Sequence, residues 1–218
     1  MYFESRSQAG QIIADSIFER YRYENCVVVA LNDGGVLVGE QIAIALHCLL
    51  TLLVVEDIQI PGEGISFGAV SQSGELTYNE SLSSGEIDEY NSEYHGFLEE
   101  KKREAFQTIN RLLGDGGLID KDMLRDHVVI LVSDGLDSGT SIDVALDFLK
   151  PLRLQRLVIA TPLASVPAVD KIHIAADELC VLDVKDNYMG VDHYYVQNDI
   201  PSHQDTVNKI NNIVLNWR

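Results

Sequence analysis

The sequence predicts an α/β fold in which a mainly parallel sheet is flanked by helices, and three observations lead there. Four short runs, residues 26–31, 51–55, 128–132 and 156–160, are apolar and rich in Val, Ile and Leu, as expected of strands covered on both faces. Segments of helical periodicity lie between them. The breaks after two of the runs, Asn32-Asp-Gly-Gly35 and residues 133–139, mix glycine with acidic or hydroxyl side chains. Strands alternating with helices in this way imply crossover connections and a parallel sheet.

Each element follows from its residues. Over residues 5–22, Ala9, Ile12, Ile13, Ile17 and Tyr21 fall on one helix face, and Ser5 with Gln8 has the spacing of a capping box. Residues 26–31 form a buried strand, Asn32 to Gly35 break it, and residues 36–47 read as a helix. Residues 51–55 form a second buried strand that ends in Glu56-Asp57. The character then changes. Pro61-Gly-Glu-Gly64 is a turn, and residues 65–70 and 75–78 alternate as a small hairpin. Residues 81–96, rich in Ser, Gly, Glu and Tyr, read as an irregular acidic excursion. Its Tyr90 and Tyr94, with Tyr78, suit either a stacking wall over a flat ligand or a surface contact. Residues 97–113 are helical, with Glu99 and Glu100 one turn from Arg103 and Glu104, and Gly114-Asp-Gly-Gly117 ends the helix. Thereafter a strand (128–132), a loop (133–139) and a helix (140–149, stopped by Pro151) precede a strand at 156–160. A helix at 167–176, a strand at 179–182 and an amphipathic helix at 207–217 complete the order.

Composition narrows the function. The 218 residues suffice for one α/β domain with a large core, and 46% hydrophobic with 23% charged residues excludes wholesale disorder. Sixteen Lys+Arg against 34 Asp+Glu leave a formal charge of -18. That field repels phosphate backbones and anionic lipid heads, so broad nucleic-acid or membrane-surface binding is not expected. The longest apolar run, residues 42–55, contains His47 and falls short of the roughly 18 residues a membrane span needs. Cys26, Cys48 and Cys180 show no CxxC pairing, and they read as buried thiols of a reducing cytoplasm. The opening residues lack the basic-then-apolar pattern of a secretory leader. The six histidines have no metal-ligand spacing.

The stretch that carries chemistry is Val128-Val-Ile-Leu-Val-Ser-Asp-Gly-Leu-Asp-Ser-Gly-Thr-Ser141. A buried strand delivers Ser133 and Asp134 at its C-terminal edge, where open α/β sheets bind ligands. Asp137, Ser138, Gly139, Thr140 and Ser141 follow, with Thr140 and Ser141 opening a helix. Backbone N–H groups, hydroxyls and the positive end of a helix dipole together make a cradle for one phosphate. An ordinary strand-to-helix turn with a Thr or Ser cap explains the same local pattern.

This stretch resembles the phosphoribosyl-diphosphate signature of type I phosphoribosyltransferases, and the likeness runs along nearly the whole chain. It is closest to bacterial phosphoribosyltransferase-domain proteins of about this length, in which the first strand ends in Pro-Arg-Gly-Gly and the second in an Arg-Lys pair. A Pro-Gly turn and a Gly-Ala-Val segment follow there. The matching residues are Asn32-Asp33-Gly34-Gly35, Glu56-Asp57, Pro61-Gly62 and Gly68-Ala69-Val70, and the segments at 160–164 and 183–195 are similar too. The resemblance implies a single phosphoribosyltransferase-type domain over residues 1–218, with residues 58–122 as a hood or flap. It implies catalytic roles for Asp134 and Ser133 at the ribose and phosphate contacts from residues 137–141. In such enzymes magnesium and basic loop residues hold the diphosphate while a nitrogenous base displaces it through an oxocarbenium-like transition state.

The charged positions depart from the pattern. Asp33 stands in place of Arg, Glu56 and Asp57 in place of Arg and Lys, Ser133 in place of the first acid, and Asp137 adds a charge inside the loop. One unit charge about 6 Å from a phosphate charge is worth roughly 3 kcal/mol at an effective dielectric near 20, so each reversal costs about 5 kcal/mol before screening. Residues 32–35 with 56–57 therefore read as a degenerate diphosphate site. The expectation is a protein that binds a ribose 5-phosphate or nucleotide moiety, with transfer from phosphoribosyl diphosphate weakened or lost. Two alternatives stay open: an active magnesium-dependent transferase acting on an unidentified base, and a non-catalytic regulatory or protein-interaction module. Magnesium is left open as a cofactor with Asp134 as its candidate ligand, and a homodimer is left open as the assembly.

Overall fold

The computed structural model describes residues 2–63, 65–72, 76–79, 81–114, 119, 121–137 and 140–215. The chain divides into two compact units. The first comprises Met1–Leu53, Ile119–Gly139 and Leu152–Arg218, and the second Val54–Leu118 and Thr140–Pro151.

The first unit is built on a parallel sheet. Its strands are β1 (Cys26–Ala30), β2 (Leu49–Leu52), β6 (Val128–Val132), β7 (Arg156–Ser165) and β8 (Glu178–Lys185), in the order β2-β1-β6-β7-β8. Val28 faces Leu50 on one side and Ile130 on the other, and Ile130 in turn faces Val158. Every residue of β1 and β6 is buried, which explains their unbroken apolar runs. The helices of this unit are α1 (Arg6–Tyr21), α2 (Asp33–Leu46), α6 (Val166–Ala175) and α7 (His203–Leu215). α1 and α2 pack so closely at Gly10 that a Cβ there would stand 2.6 Å from the Val38 carbonyl. The parallel sheet flanked by helices is the architecture that the sequence predicts.

The second unit carries a three-stranded antiparallel sheet of β3 (Val55–Gln59), β4 (Ser66–Ser71) and β5 (Leu76–Tyr78), with a register shift at Ile58/Gln59. The helices α3 (Ser84–Glu93), α4 (His95–Gly114) and α5 (Thr140–Leu149) belong to this unit. The hairpin expected at 65–78 is the β4–β5 pair.

Several boundaries differ from expectation. Asn32 to Gly35 are not a loop. Asn32 is the N-cap of α2, its side chain accepting the Gly35 N–H, so the helix starts at Asp33. An Asn cap satisfies an orphan donor of the first turn, and the glycines fit there for a packing reason given below. The second strand of the parallel sheet ends at Leu52, so Glu56 and Asp57 do not lie at its C-terminal edge. They lie inside β3, where Glu56 faces Val70 and Asp57 faces Ala69. Residues 81–96 are largely helical. Ser83 and Glu86 form a full capping box that starts α3, which buries none of its residues. A helix that is polar all round has no apolar stripe for periodicity to detect. At α1 the capping box is incomplete: Ser5 accepts the Gln8 N–H, but the Gln8 side chain accepts from Glu4 rather than from Ser5.

Candidate functional site

β1 and β6 are neighbours, and the chain leaves them in opposite directions: β1 leads through α2 to β2 on one side, and β6 leads to β7 on the other. This is the reversal of strand order at which open α/β sheets form a crevice beyond the carboxyl ends of their strands. The turn after β1 (Asn32, Asp33, Gly34, Gly35) and the loop after β6 (Ser133, Asp134, Gly135, Leu136, Asp137) meet there.

Asp134 is the centre of the arrangement. It is 3% exposed, and both of its carboxylate oxygens are engaged. Arg6 Nε donates to Oδ2 at 2.7 Å, and Asn32 Nδ2 donates to Oδ1 at 2.9 Å. The Asp134 carbonyl accepts the Tyr195 hydroxyl at 2.7 Å. Burial pushes the Asp134 carboxyl above its ordinary value, against the pull of the Arg6 guanidinium and the Asn32 amide. Ser133 turns inward, its hydroxyl donating to the Gly135 carbonyl at 2.8 Å.

Arg6, on the first turn of α1, is fully buried. Besides Asp134 it donates to Asp192 Oδ1 at 2.6 Å and Asn198 Oδ1 at 3.0 Å, with Asp199 Oδ1 3.8 Å away and the Tyr195 ring centroid 4.5 Å away. One guanidinium therefore joins the loop after β6 to residues 192–199. Its planar fork of donors suits several acceptors at once.

The glycines here answer to close packing, Gly34 to this ion pair. A Cβ on Gly34 would collide with the Asp134 carboxylate and stand 2.9 Å from Arg6 Nε. One on Gly35 would stand 2.9 Å from the Val132 carbonyl, and one on Gly135 would collide with the Tyr188 hydroxyl. Gly34 is thus required by close packing of α2 against the Arg6–Asp134 pair, and Gly35 by its approach to the Asn32 side chain and the end of β6.

The remaining expected site residues are distributed as follows. Asp33 lies in the first turn of α2, with its Oδ1 3.2 Å from His203 Nδ1. Asp137 is exposed, its carbonyl accepts the Ser165 hydroxyl, and desolvation lifts its carboxyl above the ordinary value. Ser138 and Gly139 lie outside the described residues. Thr140 and Ser141 open α5 in the second unit. Glu56 and Asp57, also in the second unit, line a groove of about 530 Å³ with Ile58, Ile60, Phe97 and Lys101. Asp57 accepts the Ser66 hydroxyl there. Tyr90 donates to Glu63 and stands 6.3 Å from the Tyr94 ring, whereas Tyr78 packs edge-on against Phe67.

The donor set does not fit a protein-held magnesium ion. Both Asp134 oxygens already accept hydrogen bonds, one from a cation, and no group of three or more His, Cys, Asp or Glu that could hold a metal occurs among the described residues. In the loop itself the N–H groups of Ser133, Gly135 and Leu136 donate to the Ala160 carbonyl, the Ser133 hydroxyl and the Leu163 carbonyl, beside a carboxylate neutralised from within.

Sequence reasoning passed over Arg6, Asp192, Asn198, Tyr188, Tyr195 and His203. One signal was present for Arg6: it stands on the same helix stripe as Ala9, Gly10, Ile13 and Ile17, all buried. A cation in an apolar stripe needs a buried partner. Asp192 lies in a 3-10 turn and His203 opens α7, while Tyr188, Tyr195 and Asn198 sit in irregular chain with no periodicity to mark them.

Comparison with known proteins agrees with this geometry. The model of the phosphoribosyl transferase domain matches residues 4–197. Two Mycobacterium tuberculosis proteins, from strains CDC 1551 / Oshkosh and ATCC 25618 / H37Rv, each named "Putative phosphoribosyl transferase", are 24% identical over 194 residues. These matches cover 88% of this chain and 43% of theirs, so the chain spans less than half the length of those relatives. The crystal structure of TT1426 from Thermus thermophilus is similar over 100% of this chain and 99% of its own, at 25% identity and a TM-score of 0.70. Among the described residues no helix is long and apolar enough to cross a membrane. With the family model spanning both β1 and β6 and the crevice between them, the chain belongs to the phosphoribosyl transferase domain family.

Proposed function

We propose that the chain binds a ribose 5-phosphate moiety, free or within a nucleotide, in the crevice at the ends of β1 and β6, and that transfer from phosphoribosyl diphosphate is weakened or lost. The observation that carries the reading is the position of the loop after β6 at the reversal of strand order, directly beside the turn after β1. Residues 137–141 hold the 5′-phosphate in this reading, and the sugar hydroxyls lie toward Ser133 and Asp134.

Charge supports the loss of transfer. Stabilising a departing diphosphate calls for cations aimed at the developing charge. Asp33 contributes a carboxylate at the turn after β1, and Arg6, the buried cation of the crevice, is committed to Asp134, Asp192 and Asn198. Glu56 and Asp57 add negative charge to the other unit's groove rather than a basic pair.

Thermal shift and calorimetry with ribose 5-phosphate, a nucleoside monophosphate and phosphoribosyl diphosphate with magnesium test the reading. A stabiliser at a hundredfold excess over its dissociation constant adds about 2.7 kcal/mol, which is readily seen. The monophosphates are expected to raise the melting temperature more than the diphosphate does. A larger shift with the diphosphate, or diphosphate release in the presence of a base, overturns the reading in favour of an active transferase.

A further inference from the structure

Residues 186–199 follow β8 as a segment of the first unit that includes a 3-10 turn at Val191–Tyr194. Most of them are exposed, whereas Tyr194 and Tyr195 are buried in a cluster with Phe3, Ala9 and Leu163, against which Tyr188 and Val191 pack. Its backbone pairs with the chain start, where Phe3 donates to the Tyr194 carbonyl and Val196 donates to the Phe3 carbonyl, both at 2.9 Å. Besides that cluster, its polar groups reach inward at three places. Tyr195 donates to the Asp134 carbonyl. Asp192 and Asn198 accept from Arg6. The Tyr188 hydroxyl is buried over Gly135 without a hydrogen-bond partner.

These contacts have a shared consequence: the segment holds Arg6 in place, and Arg6 with Asn32 covers the carboxylate of Asp134, the acid that a bound sugar needs. Asp134 is 3% exposed, with Arg6 and Asn32 on its oxygens and Tyr195 on its carbonyl. A buried tyrosine hydroxyl left unpaired costs free energy, and it sits where the segment presses on the loop. Arg6 links the two sides, holding the loop by a buried bond and the cover by an exposed carboxylate. The bond to Asp192 is the more exposed of the two and the easier to release.

We propose that residues 186–199 are a strap that closes the crevice over Asp134, held shut by Arg6 through Asp192 and Asn198, and that a ribose 5-phosphate ligand displaces the strap to reach that carboxylate. The proposal rests on the ligand reading above and adds regulation of the same site by the chain itself. A ligand that binds only the open form is weakened by the fraction of molecules that are closed. Loosening the strap therefore tightens binding, whereas loosening a merely structural contact does not.

The test compares the wild-type chain with Asp192→Asn/Asn198→Ala, and with Tyr195→Phe as a second variant that removes only the bond to the Asp134 carbonyl. The first readout needs no ligand. Native protein is treated with a carbodiimide and an amine, and modification at Asp134 is measured by peptide mass spectrometry relative to the exposed Asp170. Asp134 modification is expected to rise about fivefold or more in the variants, with Asp170 unchanged. The second readout is calorimetry with ribose 5-phosphate, for which the variants are expected to bind several-fold more tightly. Unchanged Asp134 modification in variants with native circular dichroism overturns the strap. So does increased modification accompanied by weaker binding. Increased modification with no ribose 5-phosphate binding by any of the three chains overturns the ligand reading and leaves the closure itself supported.

Discussion

Replacing Arg6 by Met isolates what the buried ion pair contributes. The guanidinium makes one buried bond to Asp134 at 2.7 Å, one to the exposed Asp192 at 2.6 Å and one to Asn198 at 3.0 Å. The exposed pair is worth about 0–1 kcal/mol. The buried one dominates, because Arg6→Met leaves a carboxylate in the interior without its cation, held by the Asn32 amide and its own backbone N–H, a loss of about 3–5 kcal/mol. Against a typical total stability of about 5–15 kcal/mol that is a large fraction. Adding Asp134→Asn removes the stranded charge, so the double variant should be more stable than the sum of the two single losses by about 2 kcal/mol. pH gives an independent check. With Arg6 gone, burial acts on Asp134 with less opposition, and its carboxyl rises further above the ordinary value than in the wild-type chain. The folded form then keeps a proton that the unfolded form has released. Arg6→Met should therefore lose stability as pH rises from the ordinary carboxylate range toward the raised value, and Arg6→Met/Asp134→Asn should lack that slope. Urea unfolding of all four chains, followed by far-ultraviolet circular dichroism, measures both. A cost under about 1 kcal/mol, or losses that add within about 0.5 kcal/mol, refutes the account.

Gly34→Ala should destabilise by about 2 kcal/mol or more, because its Cβ meets the Asp134 carboxylate and Arg6 Nε, whereas Gly85→Ala, with open space around it, should be near neutral in the same thermal melts. Ser83→Ala should break the capping box of α3 and raise amide exchange over Ser84–Glu93, yet leave the global melting temperature nearly unchanged, since that helix buries nothing. Burial pushes the Cys26 thiol up to about 11 and the Cys48 thiol up to about 12. At pH 8 roughly one Cys26 in a thousand is thiolate, so alkylation of native protein should reach the half-buried Cys180 first, and equal rates at all three would contradict this. Asp33→Arg should tighten binding of phosphoribosyl diphosphate by at least about tenfold in calorimetry, as a reversal of charge near phosphate predicts.

The parallel sheet was legible because its cause is local and repeated. β1 and β6 are buried on both faces, so Val27, Val28 and Val29 or Val128, Val129 and Ile130 have no polar side to show. The loop after β6 was legible for a similar reason: an apolar run ending in Ser133-Asp134-Gly135 marks a strand edge by composition alone. Elements whose order depends on caps rather than stripes were harder to read. α3 is held by Ser83 and Glu86 at one end, and nothing in its pattern separates it from irregular chain. Glu56 and Asp57 misled because the apolar run carries on past the end of β2 at Leu52, and only pairing with β4 assigns Val55–Gln59 to a different sheet.

Composition, periodicity and one motif were thus enough to determine the parallel sheet, its flanking helices and the acidic character of the chain. The tertiary structure alone decided that Asp134 is held from within. Its partner Arg6 lies 128 residues away in sequence, and Tyr195, whose hydroxyl donates to its carbonyl, 61 residues away. A carboxylate carries no local mark of whether it will face a ligand or a guanidinium. That choice is made when distant segments pack together, and the burial that pairs Asp134 with Arg6 is a property of the assembled chain rather than of either residue's neighbours.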